Sequence, residues 1–236
     1  MGTRSLILIL YNGRFVVAQY TQYDGYPERE GQGLRILNFL LVPTNIQHLK
    51  DGLPYIYIPS NEERQRISAE VKDLNDKARA HADFQRSNGH YVEITNPLYE
   101  HWPSLSRDTG AGILEIIAQA TEAKPVPVIL DLEFANDGLF CEWAYVVNLD
   151  ENTFEVFSGS EKKVGARSIR FHDIGGDNET VPILVKSFQL GALPETEESF
   201  IAELNQELEI IHKEHAAKIR KARDGRITNG KATPTR

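Results

Sequence analysis

The sequence predicts an α+β protein with a mainly antiparallel sheet and flanking helices, on three observations. An apolar hairpin opens the chain, strand-like runs recur between Val126 and Leu190, and amphipathic helical stretches interrupt them. The strands do not alternate one-for-one with helices, as a parallel α/β fold would require. With 236 residues, 41% of them hydrophobic, the chain can bury a core without disulfides or a structural metal, and its lone Cys141 allows no internal bridge.

The hairpin is the clearest element. Ser5 to Tyr11 and Arg14 to Thr21 flank Asn12-Gly13, a dipeptide that tolerates positive φ at both centres of a type I′ turn. Leu6 to Leu10 are apolar without alternation, which predicts a strand covered on both faces and therefore central in its sheet. The Gly- and charge-rich stretch from Tyr23 to Gly33 reads as a loop. Leu34, Leu37, Phe39, Leu40 and Leu41 predict a short helix stopping before Pro43. Ser60 with Glu63 forms a capping box, and Ile67, Val71, Leu74 and Ala78 carry that helix to about His81.

Asp83 to Ser106 reads as a long connection with one strand at Tyr91 to Ile94. Asp108 or Thr109 then caps a buried helix carrying Ile113, Leu114, Ile116 and Ile117. An antiparallel meander follows over Val126–Phe134, Leu139–Leu149 and Thr153–Phe157, joined by turn sequences at 135–138 and 150–152. Two weaker strands, Ser168–Phe171 and Val181–Leu190, precede a final helix from about Glu195 to Arg223 with an apolar stripe at Phe200, Leu204, Leu208, Ile211 and Ile219. Residues 1–222 read as one domain and 223–236 as a flexible basic tail.

The net charge of −8 is unevenly spread. Lys213 to Arg236 holds eight Lys or Arg and two acids, which leaves 18 basic and 32 acidic groups in residues 1–212, a balance of −14. A body that acidic disfavours nucleic acid, whose binding needs a basic surface. No apolar run reaches the ~20 residues of a membrane span, and the opening stretch is too short in apolar residues for a signal peptide, so a soluble cytoplasmic protein is expected. The tail reads as a frayed terminus, with an address signal or an electrostatic arm as the alternatives.

Common signatures are missing. Gly31-Gln32-Gly33 lacks the third glycine and the preceding strand of a dinucleotide fingerprint, and no P-loop, HExxH, GxSxG or CxxC is present. His212 and His215 lie one turn apart in a solvated basic run, which argues against a metal site, and Leu6 breaks the myristoylation pattern begun by Met1-Gly2. No cofactor or metal is expected.

Three constellations carry polar residues where polarity is costly. Arg4 precedes the central strand and calls for a carboxylate, with Asp24 or Asp108 the candidates; the readings are a structural ion pair or an anion-recognition site. A turn at 135–138 sets Asp131 or Glu133 opposite Glu142, which makes either an acid/base pair or a solvated face. Ser106-Arg107-Asp108-Thr109-Gly110 enters a helix and would suit an anion or serve only as a cap. Cys141 reads as a packed thiol rather than a nucleophile.

The segments MGTRSLILILYNGRFVVAQYTQYDGYPE, SRDTGAGILEII and LFCEWAYVVNLDENTFEVF resemble a family of fungal and bacterial proteins that begin Met-small-Thr-Arg and carry an Asp-Gly-Tyr-Pro loop after the first hairpin, a family without an established activity. That resemblance marks Thr3, Arg4, Gln19, Asp24, Tyr26, Arg107, Asp108 and Glu142. Gly2-Thr3-Arg4 leading into a central strand is similar to the Cys-Thr-Arg start of the choloylglycine-hydrolase branch of N-terminal-nucleophile amidases. This second resemblance implies an αββα sandwich. Gly2 has no nucleophilic side-chain atom, so it implies a non-catalytic relative that keeps the pocket unless trimming exposes Thr3.

These readings converge on a protein that binds a small polar or anionic ligand at Arg4, the Asp24-Gly25-Tyr26-Pro27 loop and the Arg107-Asp108 segment. The alternatives are a hydrolase using Glu142 with Asp131 or Glu133, or a processed Thr3, and an interaction module whose final helix docks on a partner or makes a homodimer.

Overall fold

The computed structural model describes residues 2–162, 166–174 and 180–229. Strand β1 (Ser5–Tyr11) turns at Asn12 (φ 53°) and Gly13 (φ 72°) into β2 (Arg14–Thr21), the positive φ pair expected of that dipeptide. Asp150 completes the turn: its Oδ1 accepts from the Asn12 amide and its Oδ2 from the Gly13 amide, each at 2.8 Å. The other strands are β3 (Ile56–Tyr57), β4 (Val126–Pro127), β5 (Trp143–Asn148), β6 (Thr153–Lys162) and β7 (Thr180–Gln189). The helices are α1 (Gln32–Leu40), α2 (Pro43–Gly52), α3 (Asn61–Ser87), α4 (Pro97–His101), α5 (Ile113–Ala118) and α6 (Glu197–Asn229).

Five strands form one mixed sheet in the order β2-β1-β5-β6-β7, antiparallel throughout except where β1 runs parallel to β5 with Ser5 beside Trp143. The α+β class with a mostly antiparallel sheet thus holds. Strand β1 lies inside the sheet, and Leu6 and Leu8 on one face, like Ile7 and Ile9 on the other, are fully buried. One face packs Leu6, Leu8, Ala144, Val146 and Phe157 against Ala135, Cys141 and Phe171. On the other, Tyr145 stacks near Trp143 and Phe154, and its hydroxyl donates to the Gly25 carbonyl at 2.8 Å. Each such buried aliphatic or aromatic side chain contributes roughly 1.5–3 kcal/mol. Of the second sheet that an αββα sandwich needs, the described residues contain only the two-residue parallel pair β3–β4.

Several elements differ from expectation for local reasons. Helix α1 stops at Leu40, short of Pro43 as expected, but Pro43 then opens a further helix: it occupies the first turn of α2, where its missing N–H costs nothing. The capping box forms by halves: Ser60 Oγ accepts from the Glu63 amide, but the Glu63 carboxylate accepts from the Tyr57 hydroxyl, and α3 runs on to Ser87. Tyr91 to Ile94 is irregular rather than a strand.

The expected strand Val126–Phe134 shrinks to β4 because Pro125 and Pro127 lack donors, and residues 132–136 wind into a 3₁₀ turn. Asp137 accepts from the Leu139 and Phe140 amides, which holds 137–142 as a turn and delays β5 to Trp143. Ser168–Phe171 belongs to a 3₁₀ helix, Ala166–Phe171. That winding puts Ser168 and Phe171, three apart, both into the interior, which a period of two could not do.

The chain divides into two compact units, Met1–Leu193 and Pro194–Arg236. In the second, Thr196 Oγ1 accepts from the Ser199 amide to start α6. No proline follows until Pro234, and the helix backbone continues to Asn229, so residues 223–229, expected in a flexible tail, are helical. The rest of that tail, 230–236, lies outside the described residues.

Candidate functional site

The structure gathers part of the sequence-marked constellation and gives its members internal partners. Gly25 approaches the first strand so closely that a Cβ there would lie 2.7 Å from the Arg4 carbonyl carbon, and its amide donates to the Thr3 carbonyl at 2.9 Å. Only glycine fits this crossing. Glu142 Oε1 accepts from the Arg4 amide at 3.2 Å, while the Arg4 guanidinium lies 4.3 Å from the centre of the Phe140 ring.

The carboxylate partner expected for Arg4 is supplied by neither candidate. Asp24 accepts from the Tyr26 hydroxyl at 3.2 Å, and Asp108 accepts from Asn96 Nδ2 at 2.7 Å. Stacking on Phe140 takes the place of an ion pair. Arg107 is exposed and joins no side-chain hydrogen bond or ion pair among the described residues.

Buried glutamines do the joining. Gln19 is fully buried, and its Nε2 donates to the Ser106 carbonyl at 2.7 Å. Gln32 Nε2 donates to the Tyr23 carbonyl at 3.2 Å, and its Oε1 accepts from the Ala111 amide at 2.7 Å. Gln32 therefore serves the 110–118 helical segment as its cap. Neither Asp108 nor Thr109 does so: the Thr109 hydroxyl donates to the Pro103 carbonyl, and the residue preceding each start supplies no side-chain cap bond of its own. Sequence reading missed Gln32 because its partner lies far along the chain, although a glutamine between two glycines was the signal.

The expected opposition of Asp131 or Glu133 to Glu142 is absent, since 131–142 forms turns and not a hairpin. Burial pushes Asp131 up from the ordinary carboxylate range, and the charge of Glu133 adds to it. Cys141 is buried, and burial together with Asp137 and Glu142 pushes its thiol up to about 12. It is a packed core group.

Three cavities open beside the β3–β4 pair among the described residues, and two of them take no lining residue from the first hairpin. One, about 470 Å³, has Tyr57, Trp102, Pro103, Val126 and Pro127 in its walls, with Glu63, His101 and Lys124 as its charged or titratable groups. The Tyr57 hydroxyl donates to Glu63 at 2.8 Å; burial first, then this carboxylate, raises the phenol above its usual range. The Lys124 ammonium and the His101 imidazole have no side-chain hydrogen bond or ion pair among the described residues. His101 and Trp102 rings lie 5.8 Å apart. The other cavity, about 680 Å³, is flanked by α3 and the 128–131 segment.

Among the described residues no group of three or more His, Cys, Asp or Glu could hold a metal ion, and no helix is long and apolar enough to cross a membrane. The fold and these cavities define an α+β protein with ligand-sized openings on one flank of its sheet. Set against models of protein families, curated proteins and solved structures, the chain matches none of them.

Proposed function

We propose that the protein binds a small anionic ligand with a planar or apolar body in the cavity between Tyr57 and Lys124. One observation carries this reading: Lys124 and His101 line a ligand-sized space with apolar walls, and neither has a carboxylate partner among the described residues. In a body with a balance of −14, the Lys124 ammonium and the His101 imidazole beside an indole and prolines suit an acceptor-rich anion. The Glu63 charge nearby favours a monoanion over a dianion. This reading moves the ligand away from the Arg4, Asp24 and Arg107 constellation, in which Arg4 is taken up by Phe140 and Asp24 by the Tyr26 hydroxyl. A hydrolase reading built on Glu142 loses its second carboxylate.

Trp102 lies in the cavity wall and the chain has only one other tryptophan, Trp143, so a Trp143→Phe variant makes fluorescence report on this site. Titration with benzoate, nicotinate and phenyl phosphate should give saturable quenching by at least one of them, weakened tenfold or more by Lys124→Ala. A flat response across the panel, or an unchanged response in the Lys124 variant, overturns the reading.

A further inference from the structure

The larger cavity shares no lining residue with the anion cavity and carries a different chemistry. Its walls are apolar: Ile67 and Val71 from α3, Leu98 from α4, then Leu105, Val128 and Leu130. Ile67 and Val128 are buried there, whereas Leu130 keeps 37% of its surface exposed. Two side chains of opposite charge line the same space, Arg64 and Asp131.

Both charges are held in place by their surroundings but not by each other. Arg64 donates through Nε to the Pro59 carbonyl at 3.1 Å, which fixes the root of the guanidinium and leaves its two terminal nitrogens without an intramolecular bond among the described residues. The Asp131 amide donates to the Ala18 carbonyl at 3.0 Å, which ties that residue to the edge of β2; its carboxylate has no hydrogen bond or ion pair among the described residues. Elsewhere in the molecule opposite charges that meet do pair, as Arg170 does with Glu155 at 2.5 Å and with Glu151 at 3.1 Å. Arg64 and Asp131 share an apolar floor and form no ion pair across it. An arginine fork recognises a carboxylate in two-point fashion, and a carboxylate raised by burial is relieved by an ammonium.

We infer that this cavity binds a zwitterion with an apolar body, its carboxylate on Arg64 and its ammonium on Asp131. The volume of about 680 Å³ lies within the range of small-molecule sites and accommodates a short apolar peptide with free ends. Neutral amphiphiles would leave both charges unanswered, and a simple anion would leave Asp131 facing the apolar body.

Calorimetric titration of the full chain with the dipeptide leucyl-phenylalanine, its N-acetyl form and its C-terminal amide tests the assignment. The zwitterion should bind saturably at one site, and each singly blocked form at least tenfold more weakly. Asp131→Asn should weaken the zwitterion and the amide but leave the N-acetyl form unchanged; Arg64→Gln should weaken the zwitterion and the N-acetyl form but leave the amide unchanged. Val71→Trp, which fills the space, should abolish binding of all three. If that variant fails to fold, Ser68→Trp at an exposed position on the same wall serves instead. Lys124→Ala should leave every one of these titrations unaltered, which separates this site from the anion cavity. No saturable binding of the dipeptide, equal binding of the blocked forms, or charge variants that weaken all three ligands alike would overturn the assignment.

Discussion

Gln32 in α1 caps the helical segment at Ala111: its Oε1 accepts from the Ala111 amide at 2.7 Å, while its Nε2 donates to the Tyr23 carbonyl. One buried side chain thus ties the loop after the first hairpin to the start of a distant helix. Gly110, at φ 53°, makes room for it, since a Cβ there would collide with the Gln32 amide group.

Replacing Gln32 by leucine should orphan the buried Ala111 N–H and the part-buried Tyr23 carbonyl. Each loss costs about 1–3 kcal/mol. Urea denaturation is expected to show a drop of about 2–4 kcal/mol with an unchanged slope, and Gln32→Glu should retain the Ala111 bond but not the donation to Tyr23. A loss below about 0.5 kcal/mol would mean that water satisfies the site.

Asp150 organises the first turn from outside the hairpin. Hydrogen bonds to a charged acceptor are worth about 1.5–3 kcal/mol each, and solvent exposure reduces that figure. Asp150→Ala should cost about 1–2 kcal/mol and speed hydrogen exchange at the Asn12 and Gly13 amides, with little change at the Ile7 amide. Uniform acceleration throughout β1 would show that the effect is global.

Glu155 is 5% exposed and receives Arg170, Asn148 and Thr153. Removing Arg170 strands a buried carboxylate, which typically costs about 3–5 kcal/mol. Arg170→Ala should therefore destabilise more than the double variant Arg170→Ala with Glu155→Gln. Equal losses in thermal or denaturant unfolding would show that the carboxylate is well solvated without its arginine.

Asp131 provides a pH signature. Its folded carboxyl binds a proton more tightly than the unfolded one, so its contribution to stability is greatest below the unfolded value of about 3.9 and declines as pH rises through the higher folded value. Asp131→Asn should remove that decline and leave stability at neutral pH equal or higher. Denaturation curves from about pH 3 to about pH 7 decide it; a variant less stable at the neutral end contradicts the sign.

Cys141 should resist iodoacetamide at about pH 8, where a thiol titrating near 12 is thiolate in only about one molecule in ten thousand. Labelling is expected to follow global unfolding and to accelerate with urea. Fast stoichiometric labelling of the native protein would exclude a packed thiol.

What was legible in the sequence was what neighbours decide. Asn12-Gly13 sets its own φ values, Ser60 caps α3 through the amide of nearby Glu63, and Leu6 to Ile9 announce a doubly covered strand. Pro43 marked the limit of α1 but not the start of α2, because a proline that stops one helix can equally begin another. Val126 to Phe134 misled because β-branched residues favour a strand whose ladder Pro125 and Pro127 cannot support. The cavities were not legible at all: the β3–β4 pairing sets Tyr57 beside Pro127, and the residues between them in sequence supply Glu63, His101 and Lys124 to one wall. No local pattern encodes that closure. Arg4 was singled out for its place just before the first strand and Glu142 for an opposed pair of carboxylates that does not form; the two meet instead through the Arg4 backbone and not through its charge.

The parallel pairing of β1 with β5 also dictates an order of events during synthesis. Ile7 emerges from the ribosome early, but its partner Tyr145 follows only after well over a hundred further residues, so β1 can hold β2 on one side while its other edge waits bare. At ordinary elongation rates of roughly 5–20 residues per second that interval is on the order of ten seconds. The most apolar strand of the protein is thus a nascent-chain liability, and chaperone engagement should fall off once β5 has left the exit tunnel.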